Sequence, residues 1–119
     1  MPVQAFSNHQ ITFTLQFVAL PRLDDLRKPT DIHTELESLM YCFLFAVTKD
    51  SLHWKHCDAI PDAYNAKAAA MCVPAIFNAK VVARIIEPEL KDVAQRLQQL
   101  FFANSGQVLD VQAFQACFS

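Results

Sequence analysis

A single glycine, Gly106, serves a chain of 119 residues, where average usage would supply about eight. Glycine is the default residue for left-handed backbone, tight hairpins, bulges and phosphate-cradling loops. A P-loop, a dinucleotide fingerprint and a nucleophile elbow each need two or more glycines, so none of them fits here. The deficit disfavours a multi-hairpin β-protein and favours helices. The sequence therefore predicts a mainly α fold, with about five helices packed around one at 31–48, in a single globular domain spanning 1–119.

The remaining composition narrows the mode of action. Hydrophobic residues make up 53% of the chain and charged residues 18%, against an average charged fraction of about 25%. Ten phenylalanines add to the apolar surplus. A domain of this size has little interior, so part of that surface is expected to be covered by another chain. The formal charge is −2. The densest basic pair, Arg27-Lys28, follows Asp24-Asp25, which cancels it locally. Phosphate backbones and anionic membranes are bound by basic stripes, so neither nucleic acid nor a membrane surface is an expected partner. The longest apolar runs, 39–47 and 68–77, fall short of the ~20 residues a membrane span needs.

Cysteines stand at 42, 57, 72 and 117, without CxxC spacing. The first nine residues carry neither the basic region nor the apolar stretch of a secretory signal. The expectation is a cytoplasmic protein with reduced thiols. Cys42 and Cys72 lie in apolar helical stretches, which predicts inert core thiols.

One segment reads as strand. Residues 10–18 alternate, with Ile11, Phe13, Leu15 and Phe17 on one side and Thr12, Thr14 and Gln16 on the other. No hairpin turn follows, and Pro21 ends the pattern. A lone strand must pair, because its free N–H and C=O groups otherwise form a sticky edge. The expected mate is its own copy across a homodimer axis.

The other segments read as helices. In 31–48 the residues Ile32, Leu36, Leu39, Met40, Phe43 and Val47 share one stripe, capped by Thr30 or Asp31. Asp31, Glu35 and Glu37 suit its positive end. A loop at 50–60 precedes an alanine-rich helix over 63–73, with Pro61 suited to its first turn. Pro74 restarts the helix, which is expected to run over 75–86 with Phe77, Val81 and Ile85 on one face, although 81–86 also fits a strand. Glu87-Pro88-Glu89 opens the next helix and Asn104-Ser105-Gly106 closes it. Asp110 caps a last helix at 111–117.

Few constellations carry chemistry. His53, His56, Cys57 and Asp58 are all zinc-ligand types, but a specific zinc pattern needs a second ligand pair at a characteristic distance. His9, His33 and Cys72 form no such pair, so no metal and no other cofactor is expected; the loop is expected to pack Trp54 and Leu52 inward and leave its histidines in solvent. Cys57 beside His56 is the one cysteine with nearby charge, and adjacent residues point apart, so a catalytic cysteine is disfavoured. Residues 93–97 resemble the first helix of a helix-turn-helix, yet 98–119 holds no basic residue for a recognition helix. A calcium loop at 104–108 fails for lack of carboxylates.

These exclusions lean towards a small non-enzymatic protein that acts through protein–protein contacts, as a regulator, inhibitor, immunity protein or adaptor. Phe13, Phe17 and Phe102 are the expected anchors, Phe102 because it falls off the Leu90–Leu97–Phe101 stripe. Two alternatives stand beside this reading. One is a small-molecule-binding or sensing domain with an aromatic pocket lined by 39–47. The other is a metal-dependent enzyme built on His53, His56 and Cys57.

Overall fold

A computed structural model describes residues 17–24, 31–52, 54–57, 59–103 and 109–119. They are mainly helical. Local signals explain most element starts. A short α1 (Leu20–Asp24) has Pro21 in its first turn, where a missing N–H is harmless. The long α2 (Ile32–Val47) begins at a capping box: Asp31 accepts from the Thr34 N–H at 2.8 Å, and Thr34 Oγ1 accepts from the Asp31 N–H at 2.9 Å. The Thr34 N–H holds the Asp31 carboxyl below its usual pKa. Helices α3 (Ile60–Cys72), α4 (Pro74–Lys80) and α5 (Pro88–Gln98) each carry proline at their first or second position. The last helix, α6 (Val111–Ala116), is capped by Asp110, which accepts from the Ala113 N–H at 2.8 Å.

The scarcity of glycine leaves its mark at the end of α2. The Asp50 N–H donates to the Phe45 carbonyl at 3.0 Å and the Lys49 N–H to the Ala46 carbonyl at 3.2 Å. That is the two-bond Schellman stop, usually built on glycine. Here Lys49 (φ 53°) and Asp50 (φ 62°) occupy left-handed backbone instead. Thr48 Oγ1 donates to the Leu44 carbonyl at 2.6 Å, a second bond to an oxygen that also accepts the Thr48 N–H at 3.0 Å.

Pro74 separates α3 from the following helix, and the chain turns by 107° there. The expected helix over 75–86 stops at Lys80 and gives way to a 3-10 turn, Val82–Arg84. Phe77, Val81 and Ile85 are nevertheless all buried, so the predicted apolar face holds although the helix does not. Past α5 the ladder widens into a π turn, Gln99–Ala103.

The main core joins Met40, Tyr41 and Leu44 of α2 to Leu52 and Trp54 of the loop, Ala70 and Met71 of α3, and Val93, Ala94 and Leu97 of α5. A smaller cluster seats Leu20 and Leu23 of α1 on Ala63 of α3. Alanine at 63 and 70 lets backbones approach closely there. Phe43, Phe101 and Phe114, half-buried against the core, form a row with the exposed Phe118. Phe43 meets Phe118 at 5.2 Å, Phe118 meets Phe114 at 5.3 Å, and Phe114 meets Phe101 at 6.3 Å between ring centroids. This row straps α6 onto α2 and the π turn. Arg96 secures the same end by donating to the carbonyls of Cys117 and Ser119.

Several expectations need correction. The strand over 10–18 falls outside the described residues except for Phe17 and Val18, which form a turn and bend rather than a strand. On α2 the buried face is rotated from the apolar stripe. Thr34, Leu36, Glu37, Met40, Tyr41 and Leu44 are buried, whereas Ile32 and Leu39 are 50% and 54% exposed. Cys42 and Cys72 are exposed, and Cys117 is the buried thiol.

Candidate functional site

The rotation of α2 has a polar cause. Glu37 is 1% exposed and Lys67, in the middle of α3, is 0% exposed. Burying charged groups is expensive unless each finds partners, so their surroundings decide which face of the helix turns inward. Glu37 Oε2 accepts from the Tyr41 hydroxyl at 2.5 Å, one helical turn on. The same oxygen accepts from the Leu20 N–H at 2.7 Å. Leu20 is the first residue of α1, so Glu37 caps a neighbouring helix, where a carboxyl group also meets the favourable dipole end. His33 Nε2 lies 3.7 Å from Glu37 Oε1 and is partly open to solvent.

Lys67 complements this arrangement from α3. Its Nζ donates to the Val18 carbonyl at 2.7 Å. It stands 4.3 Å from the Tyr41 ring centroid and 5.7 Å from that of Trp54, within reach of cation–π attraction. The two rings meet edge to face at 5.7 Å. Burial pulls the Lys67 pKa down to about 7, with the Glu37 carboxyl and the Cys57 thiol opposing that fall. Burial also raises the Tyr41 hydroxyl well above its usual value, and Glu37 adds to the shift.

Together the two charged side chains hold the backbone at Val18 and Leu20. A lysine titrating near neutrality is partly the neutral, nucleophilic amine. Here it is closed to solvent, with the Val18 carbonyl bonded to its nitrogen. In this conformation the cluster is a clamp on the segment 17–20.

The clamp carries a pH signature. The unfolded chain holds the Lys67 proton up to the ordinary value of 10.5, whereas the folded chain releases it near 7. Between those values the unfolded state binds more protons, so the Lys67 contribution makes stability rise with pH, by at most about 1.4 kcal/mol per unit. Below pH 7 both states are protonated and the whole burial penalty is present. Above pH 10 Tyr41 reverses the slope, because the unfolded chain loses a phenolic proton that the folded chain keeps. Urea unfolding is expected to give higher stability at pH 9.5 than at pH 7, and Lys67→Met is expected to flatten that rise. Parallel curves for the two proteins would contradict the Lys67 assignment.

The residues singled out from sequence are dispersed. Phe13 and His53 lie outside the described residues. Phe17 is half-buried, edge-on to Phe45 at 5.4 Å. Phe102, expected at the surface, is half-buried and packs against both clusters. His56 is exposed, whereas Cys57 is half-buried and packs against both clusters. Among the described residues no group of three histidine, cysteine or acidic side chains could hold a metal ion. The loop that carries these histidines delivers Trp54 to the clamp.

Glu37, Tyr41 and Lys67 were not singled out from the sequence. Glu37 reads as an ordinary acid near a helix start. A usable signal does exist in Lys67, the one charged residue in the run 63–73.

A cavity of about 200 Å³ lies elsewhere, between α4 and α5, lined by Pro74, Phe77, Asn78, Gln95, Gln98 and Gln99. Gln98 is buried and donates to the Met71 carbonyl at 2.8 Å. This volume is below the roughly 300–1,000 Å³ of typical ligand pockets, and its lining is largely amide rather than aromatic. No single helix among the described residues is long and apolar enough to cross a membrane. Comparison with known proteins finds no matching family model, no matching curated protein and no matching solved structure.

Proposed function

We propose that this chain is a small non-catalytic protein that works through protein–protein contacts, and that the outer face of α2 is its contact surface. One observation carries the reading: Leu39, in the middle of the most apolar helix, is 54% exposed, with Ile32, two turns earlier on the same face, at 50%. Cys42 and Ala46 continue the same exposed face. Phe43 and Phe118, the latter also exposed, extend the apolar surface sideways. Single exposed apolar residues are ordinary, but several sharing one helix face, here Ile32, Leu39, Cys42 and Ala46 interrupted only by Glu35, mark an interaction site. The anchor set thus shifts from Phe17 and Phe102, both engaged within the fold, to Leu39 and Ile32.

A photo-reactive residue at position 39 tests this in the cell of origin. It is expected to give one discrete protein adduct that Ile32→Lys abolishes, while the same probe at the exposed Ala83 gives none. Both Leu39 and Ile32 lie outside the core, so Ile32→Lys is expected to change stability by no more than about 0.5 kcal/mol. Equal labelling at 39 and 83, or an adduct indifferent to Ile32→Lys, would overturn the assignment.

A further inference from the structure

We infer that the outer face of α2 pairs with the same face of a second copy of this chain, the two helices antiparallel, with Leu39 of each copy seated on Cys42 of the other. The inference rests on the contact reading above and names its partner.

The spacing of the face is the first argument. Ile32, Glu35, Leu39, Cys42 and Ala46 are all exposed and follow one another at intervals of three, four, three and four. Lys49, just past the helix end, continues the series in sequence. A repeat averaging 3.5 residues is the seam by which two helices pack at a shallow crossing angle. The buried face of α2 lies on the opposite side of the helix, on Met40, Tyr41 and Leu44, and among the described residues the seam is exposed.

Self-complementarity is the second argument. In an antiparallel pair each seam position sits against the alternate position of the other helix. The register that places Leu39 on Cys42 also places Glu35 beside Ala46. The large Leu39 then meets a small side chain, and the same register brings Ile32 to the level of Lys49, just past the other copy's helix end. Charge agrees with size: the acid, Glu35, lies towards the N-terminal end of the seam and the base, Lys49, at its C-terminal end. Antiparallel pairing brings each Glu35 into the neighbourhood of the other copy's Lys49, whereas parallel pairing would set like charges together. A two-fold axis repeats each contact, as closed dimers require. The seam covers little more than two heptads, so the interface is small and a dissociation constant in the micromolar range is expected.

Sedimentation of the full chain across a concentration series provides the test. The expected result is a reversible shift from the 13.4 kDa monomer to a dimer of twice that mass. Leu39→Lys, which brings two unpaired charges into the seam, is expected to weaken dimerisation roughly a hundredfold while leaving the helical circular dichroism unchanged. Glu35→Lys alone should weaken it, and adding Lys49→Glu should restore it. That rescue keeps the inference testable even if Leu39→Lys perturbs the fold. As an independent geometric check, Leu39→Cys is expected to form an intermolecular disulfide with Cys42 on mild oxidation, lost when Cys42→Ala is added.

A chain that stays monomeric at high concentration would overturn the inference. So would a dimer indifferent to Leu39→Lys and to the charge reversal, which would place the interface elsewhere, such as in residues 10–18. A monomer that still gives a discrete adduct with another protein from position 39 would overturn the self-pairing and leave the contact reading standing.

Discussion

Glu37→Ala is expected to destabilise the fold by about 3–5 kcal/mol, the range for removing one partner from a buried charged cluster. The substitution strips the acceptor from two donors at once, the Leu20 N–H and the Tyr41 hydroxyl. A buried donor left without a partner costs about 1–3 kcal/mol. It also removes a negative group that helps Lys67 keep its proton. Glu37→Gln retains a carbonyl oxygen that can accept and is expected to cost clearly less. Urea unfolding measures both. Hydrogen exchange adds a readout that a generic core defect would not give: faster exchange at the Leu20 amide in the alanine variant, ahead of the core of α5. If alanine and glutamine behave alike, and both fall within about 0.5 kcal/mol of the parent, the clamp is not a significant source of stability.

Trp54→Ala is expected to cost about 3–5 kcal/mol, the usual range for removing a large aromatic from a core. Trp54 is 1% exposed and packs among Tyr41, Leu52 and other core side chains contributed by distant parts of the chain. Its removal opens a cavity beside Lys67, whose nitrogen lies 5.7 Å from the indole ring. Trp54→Phe keeps an aromatic face there and is expected to lose less. As the single tryptophan, Trp54 also reports on folding directly. Its emission should be blue-shifted in the native state and move to the red in a single transition that coincides with loss of helical dichroism. A Trp54→Ala variant as stable as the parent would contradict the placement of this loop in the core.

How these two residues came to matter separates local from long-range information. The capping of α2 by Asp31 and of α6 by Asp110, and the prolines at 61, 74 and 88, act within a few residues of themselves. Their helix starts were therefore legible in the sequence, as was the mainly helical fold. The interior of the loop was legible in part: Trp54 reads as an inward-facing residue, but its neighbours Tyr41 and Lys67 come from other elements. The short α1 was not legible. Its start is satisfied by Glu37, seventeen residues away, and no nearby side chain announces that cap.

The rotation of α2 makes the same point at the scale of a helix. Periodicity alone placed Ile32 and Leu39 inside, because it counts apolar side chains and ignores what two buried polar groups require. Once Glu37 must reach both Tyr41 and the start of α1, and Lys67 must reach Val18 over the aromatic rings, the helix has little choice of orientation. Ile32, Leu39 and Cys42 are turned out as a consequence, and the proposed contact surface lies on that face. The mainly helical character, the caps of α2 and α6 and the proline breaks were thus determined by the sequence on its own, through interactions that close over a few residues. The inward face of α2, the burial of Lys67 and the position of α1 were decided by tertiary structure, because hydrogen-bond partners separated by tens of residues meet only when the helices are packed.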